Sequence, residues 1–180
     1  MHINKIYFSD LTIEHRVKSK LRNSYISVDK NKNIVLKTPK VSQSFINDLL
    51  QKKERWIRKQ LQSIQDNPPL ILNLDDINSK SSKDFLKSRV EYYSKEMNLT
   101  YKELKYRKMS RRWGSCTSTK IITLNKKLAK TPLTCIDYVV VHELAHLVHM
   151  NHSKKFHQLV LRYYPSAEEA KAILSRIVFE

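Results

Sequence analysis

Short runs in which apolar and polar residues alternate open the chain, at Ile3 to Phe8, Tyr25 to Val28 and Ile34 to Leu36. Alternation on this scale predicts β-strands, and Asp29-Lys30-Asn31-Lys32-Asn33 between the last two predicts a hairpin loop. After Pro39 the period changes. Ser42 or Ser44 can cap a helix running to about Gln65, with Phe45, Leu49, Trp56, Ile57 and Leu61 as an apolar stripe and a Lys- and Arg-rich opposite face. Asp66 to Lys83 holds Pro68-Pro69 and no clean period, so it predicts a connection. A helix is expected from about Lys83 to Met97, with Phe85, Val90, Tyr93 and Met97 inward, and strands at Leu104 to Arg107 and Ile121 to Leu124.

Thr131-Pro132 predicts the N-cap and first position of a further helix, reaching about Val148. Its Val139-Val140-Val141 run has poor helix propensity, so burial must hold it and the helix should be central. Ser153 can cap a helix that ends before Pro165, and Ser166-Ala-Glu-Glu169 predicts a capping box for a last helix to about Val178. The expected organisation is a β-hairpin and basic-helix region over 1–65, a connection over 66–82 and a core over 83–180.

Composition narrows this picture. At 180 residues and 41% hydrophobic content the chain suits one sizeable domain with an appendage. The first twenty residues show no leader-like apolar run, and no stretch of about 18 apolar residues occurs, so a soluble cytoplasmic protein without a membrane role is expected. Cys116 and Cys135 stand in no CxxC spacing and should remain thiols in a reducing compartment. A formal charge of +17 favours polyanions, so a nucleic-acid partner is an open alternative to a solvated, compositionally biased surface. Lys52, Lys53, Arg55, Arg58 and Lys59 would form one basic face, and Arg107, Lys108, Arg111 and Arg112 a second. Trp56 and Trp113 are expected in the core. Oligomeric state is not legible.

The chemistry concentrates in His142-Glu143-Leu-Ala-His146-Leu-Val-His149-Met-Asn-His152. Histidines four apart on a helix share a face and can converge on one Zn²⁺. Glu143, beside the first, can reach a water at the metal without ligating, which suits a general base. A catalytic zinc takes three protein ligands and one open position. On a straight helix His149 and His152 would lie roughly 10 and 15 Å along the axis from His142, out of reach. The helix must therefore stop soon after His146; Asn151, which tolerates the left-handed conformation, and Ser153, which restarts a helix, bracket His152 as the third ligand. His149 stays on the last helical turn, off the metal. A closed structural site would instead recruit His149, His157 or Cys116 and would not need Glu143.

Gly114, the only glycine, lies in Arg111-Arg112-Trp113-Gly114-Ser115-Cys116. It serves either a positive φ or a close approach to the backbone, with an ordinary tight turn as the bland alternative.

These residues resemble the YgjP-like metallopeptidases, a family related to SprT-like and WLM zinc proteases. The resemblance rests on Arg112-Trp-Gly-Ser-Cys116, the strand Ile121 to Asn125, Ile136-Asp-Tyr-Val-Val-Val-His-Glu-Leu-Ala-His146 and Asn151-His-Ser-Lys-Lys-Phe156. It implies an α+β fold with a zincin-like core, a small mixed sheet over the active-site helix, zinc on His142, His146 and His152, and Glu143 as catalytic base. His157 replaces the Trp usual in the family. The His142 to His152 spacing equals that of metzincins, but their Gly is here His149 and no Met-turn follows, so the chain is not assigned to them. Protein or peptide is the implied substrate. Ile121 to Asn125 is a candidate edge for an extended substrate, and Tyr138, Tyr163, Tyr164, His149 and Arg111 are candidates for stabilising the oxyanion. The alternative from another class is a basic, zinc-stabilised nucleic-acid-binding module without turnover.

Overall fold

Leu11, Ile13 and His15 point inward from a strand whose alternate residues are Thr12, Glu14 and Arg16, and this strand organises the N-terminal sheet. The computed structural model describes residues 3–75 and 77–179. Met1, His2, Asp76 and Glu180, which fall within the expected 1–65, 66–82 and 83–180 segments, lie outside the described residues. The chain forms two compact units, 1–69 and 70–180.

In the first unit, β1 (Ile3–Phe8), β2 (Leu11–Val17), β3 (Tyr25–Val28) and β4 (Ile34–Thr38) form a sheet of order β1-β2-β4-β3. Only the β2-β4 pair is parallel. Helix α1 (Gln43–Asp66) starts at Ser42, whose hydroxyl accepts the Phe45 N–H at 3.2 Å. It buries Ile46, Leu50 and Ile57 with Leu11, Ile13, Ile34 and Leu36. The inward face is thus rotated from the expected stripe: Phe45 and Trp56 are 45% and 39% exposed. The slimmer aliphatic side chains pack on the sheet, and Trp56 is not a core residue. Arg58, expected on a free basic face, pairs with Asp10 and Glu54.

In the second unit, β5 (Leu70–Leu72) pairs in parallel with β9 (Ile177–Phe179), so part of the expected connection is structured and the last helix stops short of Val178. Ser79 caps α2 (Lys80–Glu96), which buries Leu86 and Val90 and leaves Phe85 exposed. Strands β6 (Glu103–Arg107), β7 (Gly114–Cys116) and β8 (Ile121–Asn125) form a mixed sheet of order β6-β8-β7. Strand β8 is central, paired on both sides, which removes it as a substrate edge; the edge strands are β6 and β7, and β7 is the one that lines the site. A 3₁₀ turn (Lys126–Lys130) leads to α3 (Leu133–Ala145), followed by α4 (Lys154–Tyr163) and α5 (Ala167–Arg176).

Helix α3 packs against α2, α4, α5 and β7, and Cys135 through Val141 are all buried. The β-branched run therefore sits where burial outweighs propensity, as expected. Two capping expectations fail. Thr131 closes the 3₁₀ turn by donating its hydroxyl to the Leu128 carbonyl at 2.8 Å, leaving Pro132 at the cap of α3, and Ser166 makes no side-chain cap on α5. Asp137 of α3 accepts two hydrogen bonds from Arg89 of α2, at 2.7 and 2.9 Å. Among the described residues no helix is long and apolar enough to cross a membrane.

Candidate metal centre and catalytic cleft

Helix α3 ends at Ala145, and the Leu147 and Val148 N–H groups bond back to the Leu144 and Ala145 carbonyls in a tightened last turn. Asn151 takes no left-handed conformation. The tightened turn, rather than Asn151, reverses the chain, and Ser153 then starts α4 by accepting the Phe156 N–H. His152 is thereby carried back over α3. One ligand nitrogen from each of His142, His146 and His152 lies within 4.8 Å of the others, and the two Nε2 atoms of His142 and His152 are 3.2 Å apart.

The rings are oriented from behind. His146 Nδ1 lies 3.0 Å from the His149 carbonyl, which can only accept, so Nδ1 carries the proton and Nε2 keeps its lone pair. His149 thus contributes its backbone carbonyl, and its side chain does not join the cluster of His142, His146 and His152. The Tyr138 hydroxyl stands 3.4 Å from His142 Nδ1. Phe156, fully buried, lies beneath all three imidazoles with ring centroids 4.9, 4.5 and 4.8 Å from His142, His146 and His152. Burial first, then the neighbouring His146 and His152, pushes His142 down to about 4, and burial also lowers His146. Both are neutral imidazoles at neutral pH, the form that ligates a metal.

Glu143 lines the same cleft as the three imidazoles, with its carboxyl against Gly114 of β7. The residue is 5% exposed, and Oε2 is buried without a hydrogen-bond partner among the described residues. Burial raises its pKa to about 8 against the opposing field of Arg112. Gly114 makes room for it: a Cβ there would stand 2.5 Å from Glu143 Oε1. The glycine has no positive φ and lies in a strand, so close approach is its role and the tight-turn alternative falls. Asn125 holds the preceding loop, donating to the Met109 and Arg112 carbonyls at 2.8 and 2.9 Å, while its backbone N–H bonds the Trp113 carbonyl.

The three histidines, Glu143 and Gly114 line an open cleft of about 450 Å³. Of the five oxyanion candidates only Tyr138 lines it; Tyr163, Tyr164, His149 and Arg111 do not. Arg112 does, and the sequence reading did not single it out for the chemistry. Phe156 and Asn125 were likewise missed as organisers of the site, since their contacts are tertiary. Cys116 lines the cleft as a thiol pushed up to about 11 by burial and by Glu143, and it does not join the three histidines.

The YgjP-like, metallopeptidase domain family matches residues 70–177. The chain belongs to this family. Among solved structures, the metallopeptidase zymogen abylysin of Pyrococcus abyssi is 23% identical, with a TM-score of 0.44, over 51% of this chain and 90% of that one. The zymogen jannalysin of Methanocaldococcus jannaschii is also 23% identical, with a TM-score of 0.43, over 50% and 91%. No curated protein matches the chain. The YgjP-like match starts at the first residue of β5, ends at the first residue of β9 and encloses every residue of the cleft. Its fold is α+β, a small mixed sheet on the helix that carries His142 and His146, as the resemblance implied.

Proposed function

We propose that this YgjP-like protein is a zinc-dependent peptidase that hydrolyses peptide bonds in protein or peptide substrates. The observation that carries the reading is the pairing of three convergent imidazoles with a buried, unpartnered carboxylate oxygen on the adjacent residue. Neutral nitrogen donors suit Zn²⁺, and among the described residues no fourth side chain joins His142, His146 and His152, which leaves a coordination position open. Bound there, zinc would act as a Lewis acid and make water acidic enough to attack at neutral pH.

Glu143 is the general base: it takes a proton from the attacking water and delivers it to the leaving amine. The close approach of Gly114 leaves room for the carboxylate where it stands. Arg112 is the cation in the cleft placed to meet negative charge developing on the scissile carbonyl, and Tyr138 steadies the His142 ring from behind. Strand β7 presents the free edge for an extended substrate. Residues 83–180 hold the catalytic core in this reading and 1–65 an accessory region, with 66–82 between them. Free Cys116 and Cys135 suit the cytoplasm.

Metal analysis of the purified protein tests the ligand set. One zinc per chain, lost in His146→Ala and kept in His149→Ala, is expected; the opposite pattern overturns it. Glu143→Gln should retain the zinc and lose about 10²- to 10⁴-fold in turnover, the range for a lost general base. Near wild-type cleavage by Glu143→Gln would remove the proposed mechanism.

A further inference from the structure

The sheet face turned away from α3 carries a second concavity. Arg107, Lys108, Arg111 and Arg112, with Ser115 and Thr123, line a shallow cavity of about 470 Å³. In the β7-β8 register Ser115 is opposite Thr123, whereas the flanking pairs are Gly114 with Leu124 and Cys116 with Ile122. Leu124, Ile122 and Gly114 are buried, so Ser115 and Thr123 face the other way, because successive side chains alternate across a sheet. Arg112 and Ser115 nevertheless line both this cavity and the catalytic cleft. The two hollows meet at β7, an edge strand of the sheet.

No acidic residue lines the cavity, and among the described residues none of its four cations takes part in an ion pair. A peptide added along the free edge of β7 would send alternate side chains to the two faces. When one residue engages the cleft, its neighbour reaches the basic cavity. We infer that this cavity is the specificity subsite for an acidic side chain, Asp or Glu, next to the residue held at the metal centre. This inference rests on the peptidase reading. A polynucleotide would be better served by a row of cations following successive phosphates than by four gathered around one hollow that opens into the cleft.

The test uses the full-length, zinc-loaded Glu143→Gln protein and fluorescent peptides in which one Glu is moved position by position through a neutral sequence. Binding is followed by anisotropy. At a position flanking the cleft-held residue, Glu should bind about fivefold tighter than Gln, the scale of a charge-assisted contact at a partly exposed site. Arg107→Gln with Arg111→Gln should level that ratio; both side chains are exposed, so the fold is not at stake. Arg111→Glu should invert it toward Lys. A flat profile across all positions overturns the subsite. An oligonucleotide that binds more tightly than every acidic peptide, through the same arginines, overturns the peptide assignment. If the Glu preference holds but the wild-type enzyme cleaves none of these peptides, the peptidase reading fails while the acidic subsite stands.

Discussion

Gly114 and Glu143 are matched by contact: a methyl group at position 114 would enter to 2.5 Å from the Glu143 carboxylate oxygen. Neither side can yield freely, since Gly114 is in a paired strand and Glu143 is buried on a central helix. Gly114→Ala should therefore cost about 1–3 kcal/mol by overpacking. By displacing the base it should also lower kcat/KM by about 10²-fold while leaving zinc bound. A melt and kinetics on the same preparation check both, and unchanged kcat/KM would mean that the carboxylate position is not critical.

The Arg89–Asp137 pair ties the middle of α3 to α2, with side chains 23% and 10% exposed. Removing one partner strands a charge that the fold has taken largely out of water. Arg89→Met or Asp137→Leu alone should cost about 2–3 kcal/mol, at or below the usual range for a buried pair because Arg89 keeps some solvent. The double variant should recover much of that. Urea unfolding followed through Trp113, in a Trp56→Phe background, reports this unit alone; additive single losses would contradict the coupling.

His15 gives the N-terminal unit a pH dependence. It is buried on β2 with Nε2 2.9 Å from the Thr38 hydroxyl, and burial lowers its pKa below 6.5. The unfolded chain then binds the proton more readily than the folded one, so stability is complete above about pH 6.5 and declines as pH falls below it. Urea midpoints followed through Trp56, in a Trp113→Phe background, should drop between pH 7.5 and 5. His15→Gln should flatten the drop, and an equal slope in that variant would locate the effect elsewhere.

Chelation should leave the protein folded. Leu86, Val90, Leu124, Val141 and Leu144 are buried around α3 by side-chain packing alone. Far-UV circular dichroism should persist in excess chelator, with the midpoint of melting lowered only by the lost binding energy of the native state. Collapse of the secondary structure would instead mark the zinc as a structural element.

The site was more legible in the sequence than the sheets that hold it. A four-residue histidine spacing, a stop signal and a cap are local, so His142, His146 and His152 could be read from eleven residues. Strand β2 was hidden because His15 occupies an inward position and its turn carries no glycine. Ser9, like Lys32, Asn98 and Lys120, takes a positive φ in a chain with one Gly, which removes the usual turn signal. The three-residue strands β5 and β9 are too short to show a period and exist only through each other. On α1 the apolar arc is wider than one face, and only the sheet decides that Ile46 and Leu50 go inward while Phe45 and Trp56 stay out.

The β5-β9 ribbon has a topological consequence. Leu70, where the C-terminal unit starts, is in register with Ile177, so the first and last strands of this unit are neighbours in one parallel pair. A unit whose ends meet in this way is a closed module. Joining its ends through a short flexible linker and opening the chain in the exposed turn between β7 and β8 should give a permuted protein that keeps the three histidines and Glu143 in place.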